Sequence, residues 1–376
     1  MKFFYILGGN VLYGTEIISI DIIEGLKREG HEVFCAVATS VAKGESPVVQ
    51  ELNNLGIPNQ AVYLGIIYLT NLRWTLDTLR HLPAARRQLA EMLRREDPDI
   101  VVTPHYRTVA MAGNLLKNYQ VVVNVTEILS PGFSLKLYLK AAQKYISWFF
   151  ACSMAVKESM HKVGISEEMI EVVYNGVDIK KLPPIKSLEK KTIKIGIIGR
   201  ISHAKGHDLL VDAVSILKKN GVKVEVSVFG NGDEKFMQVL MQRIEKAELA
   251  DDFYFNGFVH NKASIYQSLD IVVVPSRREA FGLVAVEPGY YEIPVVASGL
   301  DGLKEVIVHE RTGLLFEPEN PADLAKQLQI IIGDPGLRKS LGINARERVM
   351  LHFTNDAVVE RLLSLFKKRK TGGITS

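Results

Sequence analysis

Short β-branched and apolar runs alternate along this chain with longer amphipathic stretches. In the N-terminal half the runs 3–7, 32–39, 61–67, 100–103, 121–126 and 148–153 read as strands, and apolar residues at helical spacing over 15–29, 74–95 and 107–117 predict the helices between them. Strand and helix in alternation predict a parallel sheet covered on both faces. Through 178–191 the periodicity stops, and Leu182-Pro183-Pro184 with Lys186, Ser187, Lys190 and Lys191 reads as a linker. A second alternation follows, with strands at 193–198, 224–229, 253–256, 271–274 and 294–297 and helices at 208–219, 234–248 and 281–286. A last helix, opened by Thr354 as N-cap, runs through Lys367-Lys368-Arg369-Lys370 into Thr371-Gly372-Gly373. The expected architecture is α/β: a Rossmann-like domain over 1–180, a linker at 181–191, a second Rossmann-like domain over 192–353, and a helix over 354–376 packing back on the first domain. Two such domains are expected to leave a cleft at the carboxyl ends of their strands, so functional residues are sought just after strands.

Composition narrows the class. The 376 residues are 47% hydrophobic and 23% charged, ordinary globular usage that excludes disordered and low-complexity readings. A net charge of +4 is too even for a dedicated nucleic-acid binder. Cys35 and Cys152 stand far apart without metal-ligand spacing, so neither a disulfide framework nor a zinc site is expected, in keeping with a reducing cytoplasm. The run 3–7 is cut by Gly8-Gly9, unlike a signal peptide, and no apolar run reaches the ~18 residues of a membrane span.

Three loops carry candidate chemistry. Gly8-Gly9-Asn10-Val11-Leu12-Tyr13-Gly14-Thr15-Glu16 lies between a strand and a helix, where glycines and a helix N-terminus suit an anion. It reads equally as a tight turn, and it lacks the GxGxxG spacing and acidic strand end of a dinucleotide site. In Gly199-Arg200-Ile201-Ser202-His203-Ala204-Lys205-Gly206-His207, Arg200 and Lys205 could share one diphosphate or be two solvated charges. The third loop, from Pro275-Ser276-Arg277-Arg278 to Glu287, places Glu279 at a helix entrance, Gly282 where backbone can close on a ligand, and Glu287 two turns on. Ionised carboxylates accept from sugar or ribose hydroxyls. Against that, Glu279 could serve the helix dipole alone and Glu287 could face solvent, although Val284, Ala285 and Val286 surround it with apolar residues.

Together these loops resemble the retaining, nucleotide-sugar-dependent glycosyltransferases of family four, with the GT-B fold of two facing Rossmann-like domains. The resemblance also rests on Asn175-Gly176-Val177-Asp178, Phe229-Gly230-Asn231-Gly232, Asn256-Gly257-Phe258-Val259, Asp270-Ile271, Pro294-Val295-Val296-Ala297-Ser298 and Glu305. It implies that Arg200 and Lys205 neutralise the donor diphosphate, Glu279 binds donor-sugar hydroxyls, and Glu287 holds the ribose. It further implies that the backbone of Phe281, Gly282 and Leu283 lines sugar and phosphates, and that Gly14 and Thr15 add backbone contacts from the other domain. His105, after strand 100–103, corresponds to a histidine facing the donor sugar; a lone histidine beside an apolar strand is otherwise often structural. Cations placed for the leaving diphosphate make a metal unnecessary, so neither metal nor cofactor is expected. One carboxylate near the sugar implies front-face substitution, since double displacement needs a second carboxyl ~5 Å away; Glu127 is the rival nucleophile.

The sequence departs from the family at Thr126-Glu127, at Glu292 and Asp301-Gly302 where glycines are usual, and at Pro288, which is expected to push Glu287 out of helical geometry. Arg73, Arg80, Arg86, Arg87, Arg94 and Arg95 outnumber Asp77 and Glu91, and Lys136, Lys140, Lys144, Lys157 and Lys162 outnumber Glu158. The lysines interleave with Phe133, Leu137, Tyr138, Tyr145 and Trp148, which reads either as a helix on an anionic bilayer or as a charged face over a core. The expected function is transfer of a sugar, from a UDP-sugar in preference, to a saccharide or lipid-linked saccharide during glycan or cell-surface polysaccharide synthesis, in the cytoplasm or at the inner face of its membrane, without nucleic acid. The alternatives are an epimerase or phosphorylase of the same fold, or a non-catalytic sugar-nucleotide-binding module; a nicotinamide dehydrogenase is disfavoured by the broken fingerprint.

Overall fold

A computed structural model of the chain describes residues 1–8, 12, 14–39, 46–64, 72–181, 193–259 and 261–371. Gly9-Asn10-Val11, Tyr13, the expected strand beyond residue 64, the linker from Leu182, Gly372-Gly373 and the side chains of Arg73, Trp74 and Lys370 lie outside the described residues. The chain forms two compact units, Met1–Asn175 with the chain from Val358, and Gly176–Ala357.

The first unit carries β1 (Lys2–Gly8), β2 (Glu32–Ala38), β3 (Asn59–Val62), β4 (Ile100–Thr103), β5 (Gln120–Val125), β6 (Trp148–Ala151) and β7 (Ile170–Val172). They pair in the order β3-β2-β1-β4-β5-β6-β7, all parallel, with Phe3 opposite both Val33 and Ile100. Every residue of β4 and β6 is buried, as expected of strands covered on both faces rather than strands with one wet side. The second unit carries β8 (Lys194–Ile198), β9 (Glu225–Phe229), β10 (Phe253–Phe255), β11 (Ile271–Val274), β12 (Val295–Ser298) and β13 (Leu314–Phe316), in the parallel order β10-β9-β8-β11-β12-β13. Its core gathers Ile195, Val226, Ile271 and Val273 of the strands against Leu210, Val214, Leu324 and Leu328 of the covering helices. In both sheets the order reverses beside the first strand, between β1 and β4 and between β8 and β11. In open parallel sheets the carboxyl ends of the strands at such a reversal are where ligands are generally bound.

The helix Asn355–Thr371 begins in the second unit, where the Thr354 hydroxyl caps the amide of Ala357 at 3.2 Å. From Val358 it packs on the first unit, where Phe366 meets Phe3, Trp148 and Phe150 and Arg369 pairs with Glu171. The units divide after Asn175, upstream of the expected linker, because Val177 bridges to Thr354. β7 and β13 escape the sequence pattern: each is three residues long at a sheet edge, too short to display a period.

Basic residues divide between structural and exposed roles. Arg86 donates to the Met111 and Ala112 carbonyls at 2.8 and 2.6 Å, closing the helix Tyr106–Ala112, and Arg87 pairs with Glu91. The expected bilayer helix is shorter than its pattern: it spans Phe133–Ala142, Tyr138 is buried, and Trp148 belongs to β6, so Phe133 and Leu137 are the large apolar residues it exposes. Among the described residues no helix is long and apolar enough to cross a membrane.

His207 opens the helix His207–Lys219 and is almost fully buried, and burial pushes its imidazole down to about 4. The folded value lies below the unfolded one, so the unfolded chain takes the proton first as pH falls. Its contribution is therefore complete above pH ~6.5 and is lost towards pH 4. Thermal unfolding of the wild type should lose more between pH 7 and pH 4.5 than that of His207→Gln; equal losses would contradict the buried neutral imidazole.

Candidate functional site

In the second unit the loops after β8 and β11 are stitched together at the point where strand order reverses. Gly206 has φ +69°, and a Cβ there would stand 1.9 Å from the Pro275 carbonyl oxygen, so only glycine allows the approach. The Arg277 amide donates to the Ala204 carbonyl at 2.9 Å. Its guanidinium grips both oxygens of Asp208 at 2.8 Å and also reaches the His203 carbonyl and Glu319. Burial alone would raise the Asp208 carboxyl, but the hydrogen bonds and charge of Arg277 hold it below the usual range. The loop after β8 and the loop after β11 thus form one surface.

On that surface Lys205 Nζ donates to Glu279 Oε2 at 2.5 Å, and the Ser276 hydroxyl donates to the same oxygen at 3.2 Å. Among the described residues no partner reaches Glu279 Oε1. Arg200, in the same loop as Lys205, is exposed. Glu279 does not stand at a helix entrance: the helix begins at Leu283 and runs to Tyr290, after Gly282 at φ +95° turns the chain. A Cβ on Gly282 would meet Leu303 at 2.7 Å. The first intrahelical bonds run from Ala285 and Val286 to the Gly282 carbonyl, which leaves the amides of Leu283 and Val284 at the open N-terminus. Phe281 turns its ring inward against Phe353, so its side chain belongs to the core and only its backbone can serve a ligand.

Pro288 lies inside this helix, and Glu287 keeps helical geometry, contrary to the expectation drawn from the proline. A proline removes one amide and disfavours, without forbidding, helical geometry before it. Glu287 is not on a solvated face either. It is 6% exposed, with Lys262 Nζ on Oε1 at 2.6 Å and the Tyr266 hydroxyl on Oε2 at 2.7 Å.

The two departures at glycine positions are accommodated. Asp301 takes a left-handed φ of 43° and accepts from the Glu279 amide at 3.2 Å. Glu292 takes φ 59° and pairs with Arg346 at 2.9 Å. Such backbone explains why glycine suits both places, and each carboxylate has found a partner.

In the first unit, His105 follows β4 and lies over Gly8 at the end of β1, with Nε2 3.4 Å from Glu16 Oε1. Gly14 and Thr15 open the helix Gly14–Arg28, and the Thr15 hydroxyl meets that of Thr126 at 2.9 Å. Glu127, the rival nucleophile, is exposed. Sequence reasoning gave no role to Glu16, Arg277, Asp208, Lys262 or Tyr266. Residues 262 and 266, one helical turn apart just after a β-strand loop, were the available signal for the last two.

Comparison with known proteins bears on the family and the fold. A family model described as Glycosyltransferase Family 4 matches residues 13–181, and one described as Glycosyl transferases group 1 matches 178–348. An uncharacterized glycosyltransferase of Methanocaldococcus jannaschii is 28% identical over 60% of this chain and 62% of its own. A capsular polysaccharide biosynthesis glycosyltransferase of Staphylococcus aureus is 28% identical over 61% and 65%. The chain thus spans less than two thirds of the length of either relative. The crystal structure of Anabaena HepE in complex with UDP superposes with a TM-score of 0.83 at 19% identity, over 98% of this chain and 100% of that one. The same protein with UDP-glucose gives a TM-score of 0.81 at 20% identity over 98% and 100%. With overlapping matches that together run from 13 to 348, and a GT-B fold of two parallel-sheet α/β domains, the chain belongs to the family 4 type of glycosyltransferases.

Proposed function

We propose that this chain transfers a sugar from a nucleoside diphosphate sugar, a UDP-sugar in preference, to a saccharide or lipid-linked saccharide with retention at the anomeric carbon. The observation that carries this reading is Glu279, whose Oε2 is held by Lys205 and Ser276 while Oε1 is open to accept hydroxyl hydrogens. A carboxylate for sugar and a cation for phosphate are thereby fixed side by side. The UDP and UDP-glucose complexes of Anabaena HepE support the choice of donor, and the capsular polysaccharide relative supports a glycan acceptor.

Arg200 and Lys205 take the diphosphate and the charge that grows on it as the sugar departs. The open amides of Leu283 and Val284, together with the backbone of Phe281 and Gly282, add donors where a helix N-terminus favours negative charge. Glu279 holds the sugar hydroxyls and Glu287 the ribose. In the first unit Gly14 and Thr15 offer backbone contacts, and His105, oriented by Glu16, offers a hydrogen bond to a sugar hydroxyl. With one carboxylate at the sugar, retention proceeds by front-face attack. Side chains supply the positive charge, so neither metal nor cofactor takes part.

Membrane contact belongs to the same proposal. The helix Phe133–Ala142 exposes Phe133 and Leu137 at 77% and 48%, next to exposed Lys136 and Lys140, a face suited to an anionic bilayer that holds a lipid-linked acceptor.

Incubation with labelled nucleotide sugars, separating transferred sugar from free sugar and epimer, should give transfer product; epimer alone would move the chain to another reaction class. Arg200→Ala or Lys205→Ala should lower transfer by about 10²-fold and weaken binding of free UDP. Glu279→Ala should lower transfer as much, yet leave UDP binding within about threefold, because the free nucleotide never met that carboxylate. Loss of UDP binding in Glu279→Ala would place the carboxylate at the nucleotide instead. Excess chelator should leave the rate unchanged, and a strict divalent-metal requirement would refute the side-chain account of charge. Sedimentation with vesicles should show binding to anionic but not zwitterionic lipid, lost in Phe133→Ser/Leu137→Ser; equal binding by that variant would remove this helix from the contact.

A further inference from the structure

The second carboxylate of the site is held unlike the first. Both oxygens of Glu287 are engaged, and both donors come from one face of the short helix Lys262–Gln267. Asn261 fixes the start of that helix by accepting from the Ser264 amide at 3.3 Å. Tyr266 is wholly buried beside Tyr291, and burial together with Glu287 keeps its phenol a neutral donor. Lys262 differs: its side chain is 48% exposed and reaches in from outside to a carboxylate that is 8% exposed. An ammonium has three N–H donors, and Glu287 takes one. A merely structural tie for Glu287 is already supplied by Tyr266. Lys262 adds a cation at the solvent edge of a buried acceptor, which makes a paired donor and acceptor accessible from one side.

We infer that Lys262 and Glu287 together read a ribose hydroxyl of the donor nucleotide, so that Lys262 is a specificity-determining residue selecting ribonucleoside over deoxyribonucleoside diphosphates. This rests on the proposed placement of the donor ribose at Glu287. A hydroxyl donates one hydrogen bond and accepts others. Inserted at the pair, it donates to Glu287 Oε1 and accepts from Lys262 Nζ, and neither charged group loses a partner. A sugar lacking that hydroxyl can do neither, and its C–H would press against two charged groups. Sites built to bond a hydroxyl reject analogues without it for this reason. Tyr266 keeps the carboxylate aimed by holding its other oxygen, and acts as a positioning residue.

Calorimetry on the full chain with UDP, 2′-deoxy-UDP and 3′-deoxy-UDP tests the inference. The wild type should bind UDP about tenfold or more tighter than at least one deoxy analogue. Lys262→Met should lose that preference by weakening UDP alone, and Lys262→Arg should restore it, with unfolding temperatures confirming that each variant is folded. Loss of a general electrostatic attraction would instead weaken all three ligands alike and overturn the inference, as would a preference that survives in Lys262→Met. Equal wild-type binding of UDP and both analogues overturns it without any variant. If the wild type binds none of UDP, ADP or GDP, the donor reading itself falls and takes this inference with it, an outcome distinct from nucleotide binding without discrimination.

Discussion

The grip of Arg277 on Asp208 is the contact on which the candidate site depends. One guanidinium, 15% exposed, joins the helix after β8 to the loop after β11, and its own amide ties that loop to Ala204. Lys205 and Glu279 lie 74 residues apart in sequence, and this junction brings them within hydrogen-bond distance. A planar, bidentate, partly desolvated pair is directional in a way that a lysine could not reproduce. Removing one partner would leave the other charged in a place built for two. The requirement for glycine at 206 has the same origin, since the loops approach until backbone touches backbone.

The same topological solution appears twice. In each unit the first strand lies where the order reverses, and residues at or just beyond the ends of the first and fourth strands meet there: Gly8 and His105 in one, Lys205 and Glu279 in the other. In each a cationic or ionisable nitrogen meets a carboxylate, His105 with Glu16 and Lys205 with Glu279. Parallel sheets covered on both faces leave only their strand ends for function, so polar residues concentrate there while β4, β6, β11 and β12 are buried throughout.

The apparent irregularities of the sequence are local solutions within this frame. Asp301 bears a left-handed backbone and offsets that strain with a bond to the amide of Glu279, so a residue that breaks the family pattern supports the loop that carries Glu279. Pro288 interrupts one amide of a helix whose neighbouring carboxylate is clamped by Lys262 and Tyr266, and the helix continues past it.

Periodicity determined much of this protein without any coordinates. The strands at 100–103 and 271–274 end where the pattern ends, Thr354 caps the last helix as its position implies, and the basic loop that holds Arg200 and Lys205 lies after a strand as expected. These features are legible because they arise from neighbours in sequence: burial on two faces, a capping hydroxyl three residues from its amide, a glycine at a turn. Where Glu279 sits relative to its helix was not legible, because Gly282 takes a backbone conformation that moves the helix start to Leu283. Nor could the sequence alone pair Lys205 with Glu279, Arg277 with Asp208, or Lys262 with Glu287. Those contacts join residues from different loops and helices, and a single chain read in order holds no record of which charges the packing of strands will bring face to face. Only the tertiary structure decided them, since a buried carboxylate must find whatever donor the fold places within reach, and that choice is made by sheet topology rather than by local propensity.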